Sequence, residues 1–509
     1  IVFVLLSLLG MMAALIADKM RPGMVLFSVV VLFLCAGILT PKEMLEGFSN
    51  KGMITVALLF LVSEGIRQSG TLGQVIKKLL PQGKTTVFKA QLRILPSVAF
   101  ISAFLNNTPV VVIFAPIIKH WAKSVKLPAT KFLIPLSYVT ILGGICTLIG
   151  TSTNLVVHGM ILEAGYEGFT MFELGKVGIF IAIAGIIYLF IFSKRLLPDA
   201  RPDTAVPDEE VEEGEKLHRV EAVLGARFPG INKKLSDFNF QRHYGAEVKE
   251  IKTRNGQRYV NHLEDVVLRE GDTLVVMADD TFIPTWGESS VFVLLTNGND
   301  PDTSGKKKRW LALILLVLMI VGATVGELPA TKEMFPDIKL DMFFFVCITT
   351  IIMAWTNIFP ARKYTKYISW DILITIACAF AISKAMVNSG VADCVAGFII
   401  GLSDDYGPHV LLAILFVITN LFTELITNNA AAALAFPLAL SISAQLGVSP
   451  TPFFVVICMA ASASFSTPIG YQTNLIVQGI GNYKFTDFVR IGLPLNIITF
   501  LISVILIPL

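Results

Sequence analysis

The chain has 509 residues, 54% of them hydrophobic and 16% charged, with a mean hydropathy of +0.70 and a formal net charge of +3. These figures exclude a soluble globule. All six cysteines lie in or beside apolar segments, which argues against a disulfide framework or a zinc site and for buried thiols.

Taken in chain order, apolar stretches predict membrane spans at 1–17, 23–39, 52–67, 130–160 (broken near 150) and 174–193. A second set follows at 309–325, 340–358, 369–386, 451–480 (broken near 470) and 488–508. A hydrocarbon core about 30 Å thick needs roughly 20 residues per helix, and these runs reach or approach that. Ile1 already lies inside an apolar run, which implies residues ahead of it; no signal-peptide pattern is visible. Between the third and fourth members of each set, at 94–122 and 409–446, two apolar helices meet at a polar triplet. Their arms read as too short to span, so each pair is expected to be a re-entrant hairpin that enters and leaves on one side.

Five crossings per set is an odd number, so the two repeats, 1–198 and 309–509, must lie in opposite orientations. Charge supports this. Lys19, Arg21, Lys77, Lys78, Lys119, Lys194 and Arg195 fall on one side, and Glu163, Glu167, Glu327, Asp337, Asp404 and Asp405 on the other. The positive-inside rule makes the first side cytoplasmic. Residues 199–308 interrupt the pattern with an acidic linker (Pro198 to Glu215), a core at 217–284 and a polar linker (Asn297 to Arg309). The core alternates with period two in AEVKEIKTRNGQRYV and LREGDTLVVMA, which predicts a small α+β domain joined to cytoplasmic ends. The expected fold class is therefore an all-α polytopic membrane protein of two inverted repeats with one cytoplasmic insert.

The hairpin tips are one motif written twice. FLNNTPVVVIFAPI (Phe104 to Ile117) matches LITNNAAAALAFPL (Leu425 to Leu438) at an offset of 321, and TLIGTSTNLVVHG (Thr147 to Gly159) matches TPIGYQTNLIVQG (Thr467 to Gly479) at an offset of 320. A single Asn-Asn pair in a spanning helix is ordinarily helix–helix hydrogen bonding. Duplicated polar interruptions in corresponding halves instead point to the binding site of a secondary transporter. A helix break exposes N–H groups and a positive dipole end that favour an anion, while the carbonyls opposite suit sodium. No Lys or Arg lies between Leu95 and Ile118 or between Val410 and Gly447, so a dianion there would need compensation from bound cations. The anion candidates are Asn106, Asn107, Thr108, Thr151, Thr427, Asn428, Asn429 and Gln472. Glu64 reads as interfacial and Glu424 as a structural carboxyl, with a cation or proton role as its alternative.

With Asn106–Asn107–Thr108 and Thr427–Asn428–Asn429 at the tips, the chain resembles the divalent anion/sodium symporter family over nearly all of 1–198 and 306–509. The resemblance implies a homodimeric elevator carrier with a scaffold and a moving transport domain. It also implies one sodium site at Ser102, Asn106, Asn107 and Gly150 and a second at Thr423, Thr427, Asn428 and Gly470. Residues 217–284 resemble the regulatory C-terminal domain of potassium-channel and potassium-uptake regulators; the nucleotide-binding partner domain with its glycine-rich loop is absent from the sequence. This combination looks most like the sulfate-transporting branch of the family. Asn106, Asn429, Tyr471 and Gln472 are bulkier than the residues of dicarboxylate carriers, which fits a compact tetrahedral oxyanion. The expected function is sodium-coupled symport of a small divalent anion, sulfate first, by a multi-pass protein of the plasma or inner membrane. A dicarboxylate symporter, or an anion sensor or channel governed by the insert, is the alternative. No organic cofactor is expected, and no Ser/His/Asp set, histidine cluster or phosphate loop suggests an enzyme.

Overall fold

The computed structural model describes residues 1–17, 19–199, 218–225, 227–254, 257–279, 282–286, 291–296, 306–401 and 407–507. Most of the two linkers expected around the insert lies outside the described residues, as do Asp404 and Asp405. The first half runs α1 (Val2–Ala17), α2 (Pro22–Cys35), α3 (Lys51–Gln68), α4 (Thr71–Leu79), α5 (Val87–Ser102), α6 (Asn107–Ser124), α7 (Leu133–Gly144), α8 (Ser152–Glu163) and α9 (Gly175–Leu196). The second half repeats that order as α10 (Lys306–Gly326), α11 (Met342–Trp355), α12 (Trp370–Asn388), α13 (Val391–Gly401), α14 (Pro408–Leu425), α15 (Asn428–Leu446), α16 (Thr451–Ser462), α17 (Gln472–Gly481) and α18 (Phe485–Leu506).

Among the described residues, seven helical stretches are long and apolar enough to cross a membrane. Local chemistry explains where helices begin. Pro22 and Pro408 open α2 and α14, where a missing N–H costs nothing. Asn50, Thr86 and Asp341 each cap a first turn with a side-chain oxygen. The two expected breaks separate α7 from α8 and α16 from α17.

One expectation fails. The arms of the second hairpin, α14 and α15, have 18 and 19 residues and are long enough to cross. Pro437 removes one hydrogen bond inside α15 without ending it, so the helix continues to the left-handed Gly447. The short α4 and α13 were not anticipated. They are too short and, in α4, too amphipathic for a hydropathy window; Lys77 and Lys78 occupy the last turn of α4.

The hairpins and broken helices pack on one another: α5 and α6 on α7, α14 and α15 on α16, α6 on α17, and α15 on α8. Helices α2 and α12, α3 and α11, and α10 and α11 form a second group alongside. Asn50 joins the groups by donating to Glu163 Oε2 at 2.9 Å and to Gly159 O at 3.2 Å. A cavity of about 1590 Å³ lies between the groups, lined by Lys51, His158, Glu327, Asp341, Lys384 and Phe436 among others.

The insert contains a five-stranded antiparallel sheet, ordered β3 (Arg258–Tyr259), β2 (Glu247–Lys252), β4 (Thr273–Ala278), β1 (His218–Leu224), β5 (Phe292–Thr296). Its core packs Phe228, Phe238, Phe240, Tyr244 and Phe292. The insert touches both helical groups. Lys119 of α6 donates to Glu221 at 3.1 and 3.2 Å, and Lys252 approaches the same carboxylate at 3.4 Å. Burial pushes the Glu221 carboxyl up, but Lys119 and Lys252 outweigh it and hold the group at about 2. Gly271 and Thr273 of the insert lie against Leu475 and Gly479 of α17. Toward the other group, Arg227 donates to Ile368 O at 3.2 Å and Asn232 to Lys19 O at 3.1 Å.

Candidate functional site

Each hairpin tip is built from one hydrogen-bond skeleton, and the skeleton occurs twice. In the first half, Ser102 Oγ lies 2.7 Å from Asn107 Oδ1, Gly150 N donates to Thr147 Oγ1 at 3.2 Å, and the Thr147 hydroxyl bonds Ala103 O. Asn154 Nδ2 closes the break by donating to Thr147 O at 2.9 Å and Gly144 O at 3.4 Å. In the second half, Thr423 Oγ1 lies 2.7 Å from Asn428 Oδ1, Gly470 N donates to Thr467 Oγ1 at 3.3 Å, and Thr467 Oγ1 bonds Glu424 O at 3.2 Å. Asn474 Nδ2 donates to Ser464 O at 2.9 Å and Thr467 O at 3.2 Å. The unwound backbone is thus satisfied by side-chain amides and hydroxyls, as an apolar interior demands.

Glycine is required at both breaks. A Cβ on Gly150 would stand 2.7 Å from Gly144 Cα, and one on Gly470 would stand 2.6 Å from Thr423 O. Those approaches bring oxygens together. Around Asn107, Ser102 Oγ, Thr140 O and Gly150 O lie within 3.3 Å of one end of its amide. Around Asn428 stand Thr423 Oγ1, itself bonded to Ala461 O at 2.6 Å, and Thr427, whose buried hydroxyl has no hydrogen-bond partner. Clustered oxygens with an orphaned hydroxyl suit a hard cation.

The tips also reach across the pseudo-equivalent halves. Thr108 Oγ1 donates to Gln472 Oε1 at 3.4 Å, and Ser152 Oγ and Thr153 Oγ1 donate to Asn429 Oδ1 at 3.4 and 3.2 Å. Thr151 caps α8 and its hydroxyl lies 3.1 Å from the Tyr471 phenol. Asn107, Thr151 and Asn429 are buried, Thr108 and Asn428 half-buried, and Gln472 exposed. Neither Asn106 nor Thr427 caps its helix with a side chain, so the first-turn N–H groups of α6 and α15 stay free for an anion. Asn106 also lines a small cleft with Val62, Ile149 and Ser152, on the α3 side of the tip.

Sequence reasoning missed Thr140, which contributes only a backbone oxygen, and Ser152 and Thr153. Ser152 carried a usable signal, because it stands at the position equivalent to Gln472. Glu424 has its carboxylate filled by Ser466 N and Thr467 N at 2.9 Å each and Asn496 Nδ2 at 2.8 Å. The large cavity is lined, among the described residues, by none of the tip residues; it runs beside α8 and α15 instead.

A family model described as citrate transporter matches residues 12–447 and 334–509 in two overlapping stretches. The chain is 30% identical to an uncharacterized transporter of Synechocystis, over 94% of this chain and 92% of that one. It is 22% identical to a probable sodium/sulfate cotransporter of Chlamydomonas reinhardtii, over 94% and 85%. Its fold resembles the crystal structure of the YdaH transporter of Alcanivorax borkumensis, with a TM-score of 0.53 at 13% identity, covering 91% of this chain and 86% of that one.

Proposed function

Because the chain belongs to the citrate transporter family, and so is a polytopic membrane transporter and not an enzyme, we propose that it is a sodium-coupled symporter of a small divalent anion, sulfate before all others. One observation carries the reading: two equivalent oxygen clusters flank two uncapped helix N-termini at tips that hold no lysine or arginine. The dipole ends and amide donors supply part of an anion's compensation, and cations beside the tips supply the rest. Ser102, Asn107 and Gly150 would serve one sodium ion, together with Thr140 O. Thr423, Thr427, Asn428 and Gly470 would serve the other. Thr108, Thr151, Asn429 and Gln472 would line the anion's place between the tips, with the Asn106 backbone at its edge.

Inverted repeats and elevator motion belong to this proposal. They are supported by the opposed courses of the half-helices after the breaks: α8 leads to Glu163 and the large cavity, while α17 leads to the insert. Together with the positive-inside rule, those courses support a cytoplasmic insert and an outward-facing cavity. Kinship of the insert with regulatory potassium-channel domains, and a homodimeric assembly, complete the reading. The bulk of Tyr471, Asn429 and Gln472 favours sulfate over extended acids. The family's description favours citrate, a tricarboxylate, and a relative named a sodium-dependent dicarboxylate transporter favours a dicarboxylate, as second candidates. Uptake of labelled sulfate, succinate and citrate into proteoliposomes, with and without an inward sodium gradient, decides. Sodium-driven, saturable sulfate uptake is expected; ohmic ion current or sodium-indifferent uptake would sink the proposal.

A further inference from the structure

The Asn107 amide sits between two unlike neighbourhoods. One end lies 2.7 Å from Ser102 Oγ, 2.8 Å from Thr140 O and 3.3 Å from Gly150 O; the other lies 2.7 Å from the Tyr471 hydroxyl. The two ends of an amide have nearly the same shape but opposite hydrogen-bonding character, so two orientations occupy the same space. With nitrogen inward, Asn107 donates to Thr140 O and Ser102 Oγ, and its oxygen accepts the Tyr471 proton. With oxygen inward, it faces two backbone carbonyls with only Ser102 able to donate. That arrangement is repulsive until a cation stands among the oxygens. The nitrogen then donates to the phenol.

A phenol has one proton, so the flip changes what that proton can do. The Tyr471 hydroxyl has two further neighbours, Thr151 Oγ1 at 3.1 Å and the Asn428 amide. Asn428 Oδ1 lies 2.7 Å from Thr423 Oγ1, and the amide's other end, the nitrogen, faces the phenol as a second donor. Once Asn107 also donates, the phenol proton has two destinations: Thr151 Oγ1 and whatever lies between the tips. A dianion is by far the stronger acceptor. The bland reading of Tyr471 is a packed ring with one satisfied hydroxyl. Three polar partners drawn from α6, α15 and the first break exceed what that reading needs.

We propose that sodium entering the first oxygen cluster turns the Asn107 amide over and so redirects the Tyr471 hydroxyl, still neutral, toward the anion. Tyr471 is then the positioning residue through which cation occupancy sets anion affinity. This rests on the sodium-coupled reading above. The first half has Thr151 at the equivalent position, so no phenol reports on the second cluster and the relay runs one way.

The test is labelled-sulfate uptake by purified full-length protein in liposomes, with the sulfate KM measured at low and high sodium. In the wild type, sodium should lower KM about tenfold or more, the fold-change of one hydrogen bond to a charged group. In Tyr471→Phe the high-sodium KM should stay near the low-sodium value. Its sodium binding without sulfate should stay within about threefold, because both amide orientations lose one partner alike. An undiminished sodium effect on KM in Tyr471→Phe overturns the relay. Thr151→Val keeps the phenol and removes its competing acceptor, so the question stays answerable if Tyr471→Phe does not assemble. Whatever absolute KM the loss of this anion-lining, helix-capping hydroxyl leaves, the ratio of low-sodium to high-sodium KM should be at least that of the wild type, and loss of that ratio overturns the proposal. Sodium-indifferent uptake by the wild type overturns the symport reading itself, and the relay with it.

Discussion

The two tips share a backbone plan, and two of the differences between them matter most. Where the first half has Ala103 and Thr151, the second has Glu424 and Tyr471. Glu424 locks the second break to α18 through Asn496 and to its own loop through Ser466 N and Thr467 N, while the first break relies on hydroxyls and amides alone. Tyr471 crosses to the first tip, and nothing from the first half returns an equivalent ring. A duplicated site can thus keep its ligand geometry while its halves divide the work: the second is anchored by charge, and the first depends on its neighbour for a hydrogen bond.

The sharpest way to break that comparison is to charge each tip in turn. Asn107→Asp and Asn428→Asp each place a negative charge beside the anion. At about 5 Å and an effective dielectric near 20, like charges repel by roughly 3 kcal/mol, more than a hundredfold in affinity. Sulfate KM should rise more than a hundredfold and transport collapse for both, while sodium binding survives. Near-normal sulfate affinity in Asn428→Asp would remove the anion from the tips altogether.

Next comes the anchor. Glu424→Gln exchanges an acceptor-only carboxylate for an amide that presents a donor to N–H groups, at about 1–3 kcal/mol of stability. The melting temperature of the purified protein should fall with sodium affinity unmoved. A changed sodium affinity at constant Tm would make Glu424 a cation ligand. Ser102→Ala and Thr423→Ala each delete one hydroxyl beside a cage and should raise the sodium concentration for half-maximal uptake about tenfold, as expected for one lost neutral ligand. Sulfate KM at saturating sodium should move less, and equal losses would contradict the assignment. The smallest effect is expected from Asn106→Ser with Gln472→Pro. Gln472 is exposed and opens α17, where proline is tolerated, so the pair should shift the sulfate-to-succinate uptake ratio without abolishing transport.

The helices and both breaks were legible because hydropathy and the gapless offsets act over whole turns. The nine-residue, Lys-containing α4 escaped because it is amphipathic, and the second hairpin's arms run longer than expected, Pro437 costing α15 one hydrogen bond without ending it. In the insert, β2, β3 and β4 matched the alternating segments, whereas β1 and β5 are buried or partnered in ways that alternation does not reveal. At the tips, sequence named the side chains that repeat. It could not show Thr140 O, because a carbonyl leaves no trace in residue identity, nor that Tyr471 points into the other half.

The insert closes a mechanical loop. It holds α6 and α17 on one side and the chain beside α2 and α12 on the other, so three bodies touch in a ring. A slide of one helical group past the other by even a turn, about 5.4 Å, cannot preserve every contact in such a ring. The link that yields is the weaker one. Glu221 is 8% exposed and shared by two lysines, so stripping it from Lys119 takes the nearer of two partners from a buried charge. Arg227 and Asn232 reach backbone carbonyls through hydrogen bonds each worth about 1 kcal/mol. If the proposed elevator stroke occurs, the insert would ride as ballast on the hairpin group and unhook from Ile368 and Lys19.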